Sequence, residues 1–174
     1  MTTLAIKKDA ITLERIKLLH PKLRDEANLI YTEICEALTG KAMCRFTHSL
    51  RTFKEQDDLF AKGRTTAGKI VTNARAGLSY HNYGLAVDIA LIIDNNGDGN
   101  FESASWDTKT DFDKDRKSDW LEVVTIFKQY GWTWGGDWKF RDAPHFEKPM
   151  GYSVRQLLDL YNRKRVDEKN YVLI

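Results

Sequence analysis

The most constraining feature of the sequence is an apolar run with a single acidic residue inside it. The run from Leu85 to Ile93 is almost entirely apolar and rich in β-branched residues, interrupted by Asp88. Such a run is typical of a central strand that is covered on both faces. A carboxylate at this position is expected to be buried, and an unpaired buried charge is costly. Asp88 therefore needs a cation or several hydrogen-bond donors beside it.

The rest of the pattern predicts helices at both ends of the chain and short strands between them. Apolar spacing and two capping boxes predict helices at 12–20, 23–38, 52–63, 120–131 and about 153–165. Alternating and aromatic residues predict strands at 41–47, 132–134 and 144–147, and 94–115 is interpreted as a long polar insertion. This order favours an α+β fold with helices packed on a small, mostly antiparallel sheet. We expect a single domain, 1–174.

Charge and hydropathy argue against two classes of partner. A formal net charge of +2 gives no support for nucleic-acid binding. No apolar run approaches the ~20 residues that a membrane-spanning helix needs. The N-terminus lacks a long apolar region followed by a cleavage site, so we expect synthesis in the cytoplasm without a signal peptide. Action outside the cell would then require another route, such as a holin, and we expect a monomer.

Two histidines supply suitable partners for Asp88. His81 precedes Asp88 by seven residues, and Gly84 allows a sharp turn between them. His145 lies in a short aromatic segment near the end of the chain. Together the three side chains form a zinc ligand set with a fourth position left for water, as a catalytic site requires. The alternatives are a buried Asp88 that accepts hydrogen bonds from loop amides and a structural His145.

Two further carboxylates lie close to His145 in the sequence. Asp142 precedes it by three residues and is a candidate general base for hydrolysis. The alternative for Asp142 is a loop residue that begins a turn. Glu147 falls on the same face of a strand as His145, where it would be either a partner of that ligand or a rival base.

Three ordered motifs carry a resemblance to a known family. They are Ser79-x-His81-x-x-Gly84-x-Ala86-x-Asp88, Trp134-Gly-Gly-Asp-Trp138 and Asp142-x-x-His145. The chain resembles the zinc D-Ala-D-Ala carboxypeptidase and L-alanyl-D-glutamate endopeptidase family, peptidase family M15, and its phage endolysin-like branch. The similarity is strongest over 44–148. It implies the Hedgehog/D-Ala-D-Ala-peptidase fold.

The resemblance also implies roles for individual residues. His81, Asp88 and His145 would bind zinc, and Asp142 would be the catalytic carboxylate. Arg51 would stabilise the oxyanion that forms from the scissile carbonyl. The residues expected to contact or orient the substrate are Ser79, Gln56 and Trp138. For Arg51, Ser79 and Trp138 the alternatives are a surface salt bridge, a hydroxyl that caps its own turn, and core packing.

The implied function is hydrolysis of peptidoglycan stem peptides by a zinc metallopeptidase. We favour the L-Ala-D-Glu bond, as in endolysin-type endopeptidases, with bacterial peptidoglycan as the substrate. One alternative is a D-Ala-D-Ala carboxypeptidase. Another, from a different class, is a zinc-stabilised Hedgehog-like binding module without activity. The presence of Asp142 and Arg51 argues against this last alternative.

A second cation is predicted in the polar insertion. Oxygen-bearing side chains alternate around a glycine turn, in the manner of the start of a calcium loop, at Asp94, Asn96, Asp98 and Glu102. The twelfth position of that loop, where a helix–loop–helix calcium site has Glu, is Ser105. The alternative to a Ca²⁺ site is an acidic surface loop.

Overall fold

A computed structural model describes residues 8–174, which form helices and one antiparallel sheet. The helices are α1 (Ala10–Lys17), α2 (Arg24–Ala37), α3 (Phe53–Ala61), α4 (Asp119–Gln129) and α5 (Val154–Asn162). The strands are β1 (Ala42–His48), β2 (Ala86–Ile93), β3 (Ser103–Ser105), β4 (Thr133–Trp134) and β5 (His145–Glu147). The predicted α+β class is confirmed. Residues 1–7, on which much of the signal-peptide prediction depends, lie outside the described residues.

Strand β2 is the centre of the sheet, as its apolar sequence predicts. It pairs along one edge with β1, and its other edge is shared by β5 at its start and β3 at its end. Strand β4 extends the sheet beyond β5. The short strand β3 lies within the segment 94–115, which is interpreted from the sequence as a long polar insertion and not as a strand. Its three residues are too few and too polar for alternation to indicate a strand, and pairing with β2 determines its conformation.

One face of the sheet packs against helices α2 and α4. The odd-numbered residues of β2, such as Val87 and Ile89, belong to this core. An aromatic stack runs through the same layer: the Phe127 ring lies 4.3 Å from that of Phe146 and 5.8 Å from that of Phe46 between centroids. Because strand side chains alternate between faces, Asp88 and His145 lie on the opposite face. The core therefore holds in place the strands that carry the candidate ligands.

Local sequence signals mark the helix ends well. The capping boxes predicted at Thr52 and Ser153 are both formed, with Glu55 and Gln156 as the reciprocal partners. Among the helices of residues 8–174, none is both long and apolar enough to cross a membrane.

Asp9 joins the first helix to the sheet. Its carboxylate caps α1 by accepting hydrogen bonds from the Thr12 amide and hydroxyl. It also accepts two hydrogen bonds from Arg45 of β1, at 2.9 and 3.0 Å. Burial opposes ionisation of Asp9, but the bonds from Arg45 and Thr12 outweigh it and lower its pKa. The ionised form of Asp9 therefore stabilises the packing of α1 on β1.

The substitution Asp9→Asn tests this contribution, because Asn keeps the helix cap and removes the charge. We expect a loss of about 1–3 kcal/mol in the free energy of unfolding at pH 7. The pKa of Asp9 is depressed in the folded state, so its contribution is present above the unfolded value of about 3.9 and is lost as the pH falls through the folded value. Urea denaturation should thus show a wild-type advantage at pH 7 that narrows below about pH 4. An equal difference at pH 7 and pH 3 would contradict the charge-based explanation.

Candidate metal centre and surrounding cleft

Three side chains predicted to bind a metal converge on one point of the sheet. His81 Nε2 lies 3.1 Å from Asp88 Oδ1, which in turn lies 3.1 Å from His145 Nδ1. The two histidine nitrogens are 3.2 Å apart. Both imidazoles are buried, whereas the Asp88 side chain is 20% exposed. Asp88 is thus mostly but not fully buried, and its carboxylate faces an open cleft.

The backbone explains how residues distant in sequence meet here. Asp88 of β2 is the direct cross-strand partner of His145 of β5, so their side chains lie side by side on one face. His81 lies on a 3-10 turn, Tyr80–Tyr83, which ends at Gly84 with φ 68°. A Cβ at Gly84 would lie 2.6 Å from the His20 amide nitrogen. Glycine therefore allows the turn to pack against the start of the chain and enter β2.

Outer hydrogen bonds determine which nitrogen of each histidine faces the centre. His81 Nδ1 lies 2.7 Å from the Ser49 carbonyl oxygen, which only accepts, so this nitrogen carries the proton. His145 Nε2 lies 2.9 Å from the Glu147 carboxylate and donates to it in the same way. In the neutral state, His81 Nε2 and His145 Nδ1 therefore present lone pairs toward Asp88. Outer partners of this kind are typical of histidines that bind metals.

This donor set fits a metal ion. Two imidazole nitrogens and a carboxylate oxygen are preferred zinc ligands, with bonds of about 2.0 Å. The ligand atoms of a tetrahedral site with such bonds are separated by about 3.3 Å, close to the observed spacings. Converging lone pairs repel one another unless a cation lies between them. The three side chains can therefore hold one metal ion and leave its fourth position open to the cleft.

The electrostatics of the centre also favour a positive charge. Burial opposes protonation of His145, yet hydrogen bonds with Asp88 and Glu147 raise its pKa to about 9. Burial likewise opposes ionisation of Asp88, but His81 and His145 hold the pKa of that carboxyl well below its usual range. Glu147 thus forms a hydrogen bond with the candidate ligand His145, which fits one of the two roles that its position predicts.

Asp142 lies at the edge of the centre. It lines the cleft together with the three cluster residues, and the residue as a whole is exposed to solvent. Desolvation of its carboxyl group within the cleft raises its pKa above the ordinary value, against the opposing influence of His145. A Cβ at Gly135 would lie 2.5 Å from the Asp142 carbonyl oxygen and 3.2 Å from the Cβ of His145. Gly135 therefore permits the close packing that brings Asp142 to the same cleft.

Arg51 also borders the centre and lines the cleft. Its guanidinium lies 3.5 Å from Asp88 Oδ2 and donates a hydrogen bond to Gln56 Oε1 at 2.9 Å. Gln56 is fully buried and also donates to the Ala74 carbonyl oxygen. Gln56 therefore lies behind Arg51 and does not reach the surface of the cleft. A direct contact with the substrate, as predicted for Gln56, would require a position at that surface. The Arg51 amide donates to the His81 carbonyl oxygen, which ties the arginine to the turn of the ligand.

The cleft around these residues has a volume of about 760 Å³, within the range of ligand-binding sites. Trp138 lies in its wall, with its ring 5.3 Å from that of His145, and Trp106 contributes a second indole. Ser79 also lines the cleft, while its hydroxyl accepts a hydrogen bond from the His81 amide. His48 is the cross-strand neighbour of Asp88 on β1 and lies in the same wall. Strict alternation after the core residues Cys44 and Phe46 would place His48 on the core face, but the pairing of β1 with β2 is irregular between Phe46 and His48. This irregularity brings His48 beside Asp88, and the sequence pattern gives no signal for it.

In the predicted calcium loop, backbone amides of the loop itself donate hydrogen bonds to the carboxylate of Asp94. Oxygens of Asp94, Asp98 and Glu102 lie within 4.8 Å of one another, and Asn96 donates to Asp98. Both carboxylate oxygens of the buried Asp94 accept hydrogen bonds from glycine amides, at 2.6 and 2.9 Å. These bonds account for the loop conformation, and a calcium ion at this loop stays a prediction.

Comparisons with known proteins agree with this geometry. A family model of the M15 peptidases, described as D-alanyl-D-alanine carboxypeptidase, matches residues 72–148. That range includes all three cluster residues and Asp142. The L-Ala D-Glu endopeptidase ChiX of Serratia marcescens has a similar fold, with a TM-score of 0.51 and 20% identity. The likeness covers 79% of this chain and 86% of ChiX.

A closer relative in sequence is the peptidoglycan L-alanyl-D-glutamate endopeptidase CwlK of Bacillus subtilis. The two chains are 48% identical over 131 residues, which represent 74% of this chain and 72% of CwlK. Identity of this extent over most of both proteins places them in one family, so the chain belongs to the M15 peptidases.

Proposed function

We propose that this chain is a zinc-dependent endopeptidase that cleaves the L-Ala-D-Glu bond of peptidoglycan stem peptides. The observation that carries the proposal is the convergence of His81, Asp88 and His145 at 3.1–3.2 Å, with both imidazoles oriented by outer partners. The relation to CwlK supports the choice of bond. The enzyme would meet this substrate in the cell wall. A holin-type route of release and a monomeric state remain expectations from the sequence.

The side chains of the cleft supply the steps of hydrolysis. His81, Asp88 and His145 would hold the zinc ion, which would supply a Lewis acid for the scissile carbonyl and for water in the cleft. Asp142 accepts a proton from the attacking water and returns it to the leaving amine nitrogen. Desolvation within the cleft raises its pKa, which makes its carboxylate a better proton acceptor than one with an ordinary pKa. Asp142 therefore acts as both base and acid in this scheme.

Arg51 stabilises the negative charge that develops on the carbonyl oxygen. Its guanidinium lies beside Asp88 and opens to the cleft, so it can donate hydrogen bonds to an oxyanion next to the centre. Gln56 positions this side chain from beneath through its bond to Arg51. We assign substrate contact to Ser79 and Trp138, which line the cleft, and a positioning role to Gln56.

The description of the matching family model makes a D-Ala-D-Ala carboxypeptidase the second candidate. Digestion of purified peptidoglycan by the zinc-loaded enzyme, followed by mass spectrometry and end-group analysis, separates the candidates. The proposal expects new N-terminal D-Glu. Release of free D-Ala would instead identify a carboxypeptidase, and the absence of either product would favour a binding module.

The metal assignment predicts a specific loss on substitution. The variant His81→Ala should lose stoichiometric zinc and activity, because two remaining ligands hold the ion far less tightly. His48→Ala is the matched control, since His48 lines the same cleft but is not a member of the cluster. Elemental analysis should find one zinc per chain in the wild type and in His48→Ala. One zinc per chain in His81→Ala would contradict the assignment.

Two carboxylates near His145 are predicted to behave differently. Asp142→Asn should keep the zinc but lower kcat by on the order of 10² or more, because the proton acceptor is lost. Glu147→Gln weakens the bond that orients His145, so zinc affinity should fall by about 10–100-fold. Its turnover at saturating zinc should stay much closer to that of the wild type. The opposite result would be a normal kcat for Asp142→Asn and no activity for zinc-saturated Glu147→Gln. It would make Glu147 the proton acceptor and exclude Asp142 from that role.

A further inference from the structure

A second acidic segment lies between β3 and α4, remote in sequence from the candidate zinc ligands. Carboxylate oxygens of Asp111, Asp113 and Asp115 lie within 4.8 Å of one another. The same segment continues into the first turn of α4 with Asp119 and Glu122. Five carboxylates within twelve residues repel one another, which raises the question of what balances their charge.

The spacing of these residues matches that of a helix–loop–helix calcium loop. With Asp111 as position 1, acidic residues stand at positions 1, 3, 5, 9 and 12. Those are the positions from which such loops supply side-chain ligands, with a Glu at the twelfth. The usual glycine at position 6 is replaced by Arg116, yet Arg116 has the left-handed backbone, φ 77°, that favours glycine.

Two of these residues, Asp119 and Glu122, each have one buried carboxylate oxygen without a hydrogen-bond partner within the described chain. Asp119 is fully buried; its Oδ2 accepts a hydrogen bond from the Phe112 amide at 2.6 Å, whereas its Oδ1 has no hydrogen-bond partner among residues 8–174. The Glu122 side chain is 11% exposed, and its Oε2 likewise has no partner within the described chain. Buried polar atoms are almost always satisfied, and an unsatisfied charged one is costly. The two oxygens therefore indicate a missing ligand.

Electrostatics around the segment point to a cation. Burial and the nearby Asp113 raise the pKa of Asp119, and burial and Asp115 raise the pKa of Glu122. The Lys117 ammonium lies 3.3 Å from Asp115 and 3.7 Å from Glu122, but its side chain is 67% exposed. An exposed lysine contributes little to the stabilisation of buried carboxylates. Lys117 is also free to move away when an ion enters.

We infer that the segment 111–122 binds one calcium ion. Its oxygen ligands are the side chains of Asp111, Asp113, Asp115, Asp119 and Glu122, together with the carbonyl oxygen of residue 117. An all-oxygen set with a carboxylate at the twelfth position suits Ca²⁺, whereas zinc prefers the nitrogen-containing set of the cleft. This inference is independent of the proposed peptidase activity.

The ion would stabilise the junction between the segment and the core. Asp113 accepts hydrogen bonds from the amide and hydroxyl of Thr39, just after α2. Trp120, the neighbour of Asp119, is fully buried in the core. Calcium at 111–122 would therefore connect the start of α4 to the end of α2, and its measurable effect is on thermal stability.

The test is a calcium titration of the melting temperature of the zinc-loaded protein in calcium-depleted buffer. We expect a Kd of about 10⁻⁵ to 10⁻³ M. At a calcium concentration of about 100 times Kd, the wild-type Tm should rise by about 5–10 °C. Asp119→Asn and Glu122→Gln should each abolish most of this rise. The matched control Asp98→Asn, in the other acidic loop, should keep it.

The same variants give a second readout that a merely structural role would not produce. Without calcium, Asp119→Asn and Glu122→Gln should melt no lower than the wild type, because each removes an unpaired buried charge. With calcium they should melt below it, so the order of stability reverses. The proposal is overturned if the wild-type Tm does not move up to about 10 mM calcium. It is also overturned if the rise survives in Glu122→Gln or disappears in Asp98→Asn.

Discussion

The alignment of Asp88 with His145 across two antiparallel strands is the interaction on which the site depends. It brings a carboxylate and an imidazole to the same face of the sheet, directly opposite one another. The aromatic stack of Phe46, Phe127 and Phe146 packs beneath these strands and makes a shift of register costly. A shift of β5 by one residue would place Phe146 opposite Asp88 and would direct the His145 side chain toward the core. The hydrophobic pattern thus sets the geometry of the polar centre.

The second requirement is that both histidines present lone pairs to the same point, and the sheet alone does not secure this. The Ser49 carbonyl oxygen orients His81, and the Glu147 carboxylate orients His145. Arg51 and Gln56 form a comparable pair, in which a buried amide orients an arginine that faces the cleft. In each case a hydrogen bond with a neighbouring group fixes the direction of a side chain that faces the centre. The cleft is therefore preorganised, which is a condition for stabilising a transition state.

Sequence reasoning identifies the three side chains that converge in the candidate centre because residue type and strand pattern are local properties. Asp88 is conspicuous within an apolar run, and the capping boxes at Thr52 and Ser153 are read directly from four residues each. The partners are harder to predict. The contribution of Ser49 comes from its backbone carbonyl, which leaves no trace in residue type. Gln56 contributes from a buried position, and strand β3 forms through pairing with β2. These features depend on tertiary contacts, which a pattern of spacing does not contain.

Three groups of carboxylates in this chain differ in how their charge is balanced, and that difference separates function from surface acidity. Asp88 faces two imidazoles whose lone pairs converge on it. Asp94 has glycine amides at both oxygens, and among the described residues its loop contains no buried carboxylate oxygen without a partner. Asp119 and Glu122 instead retain buried oxygens without a partner. The sequence pattern predicts a calcium site at the Asp94 loop because of its glycines. The unpartnered buried oxygens of the structure indicate the segment 111–122 instead. A buried oxygen without a hydrogen-bond partner is the better criterion for an ion site, because a bound ion adds most to stability where the protein leaves a charge uncompensated.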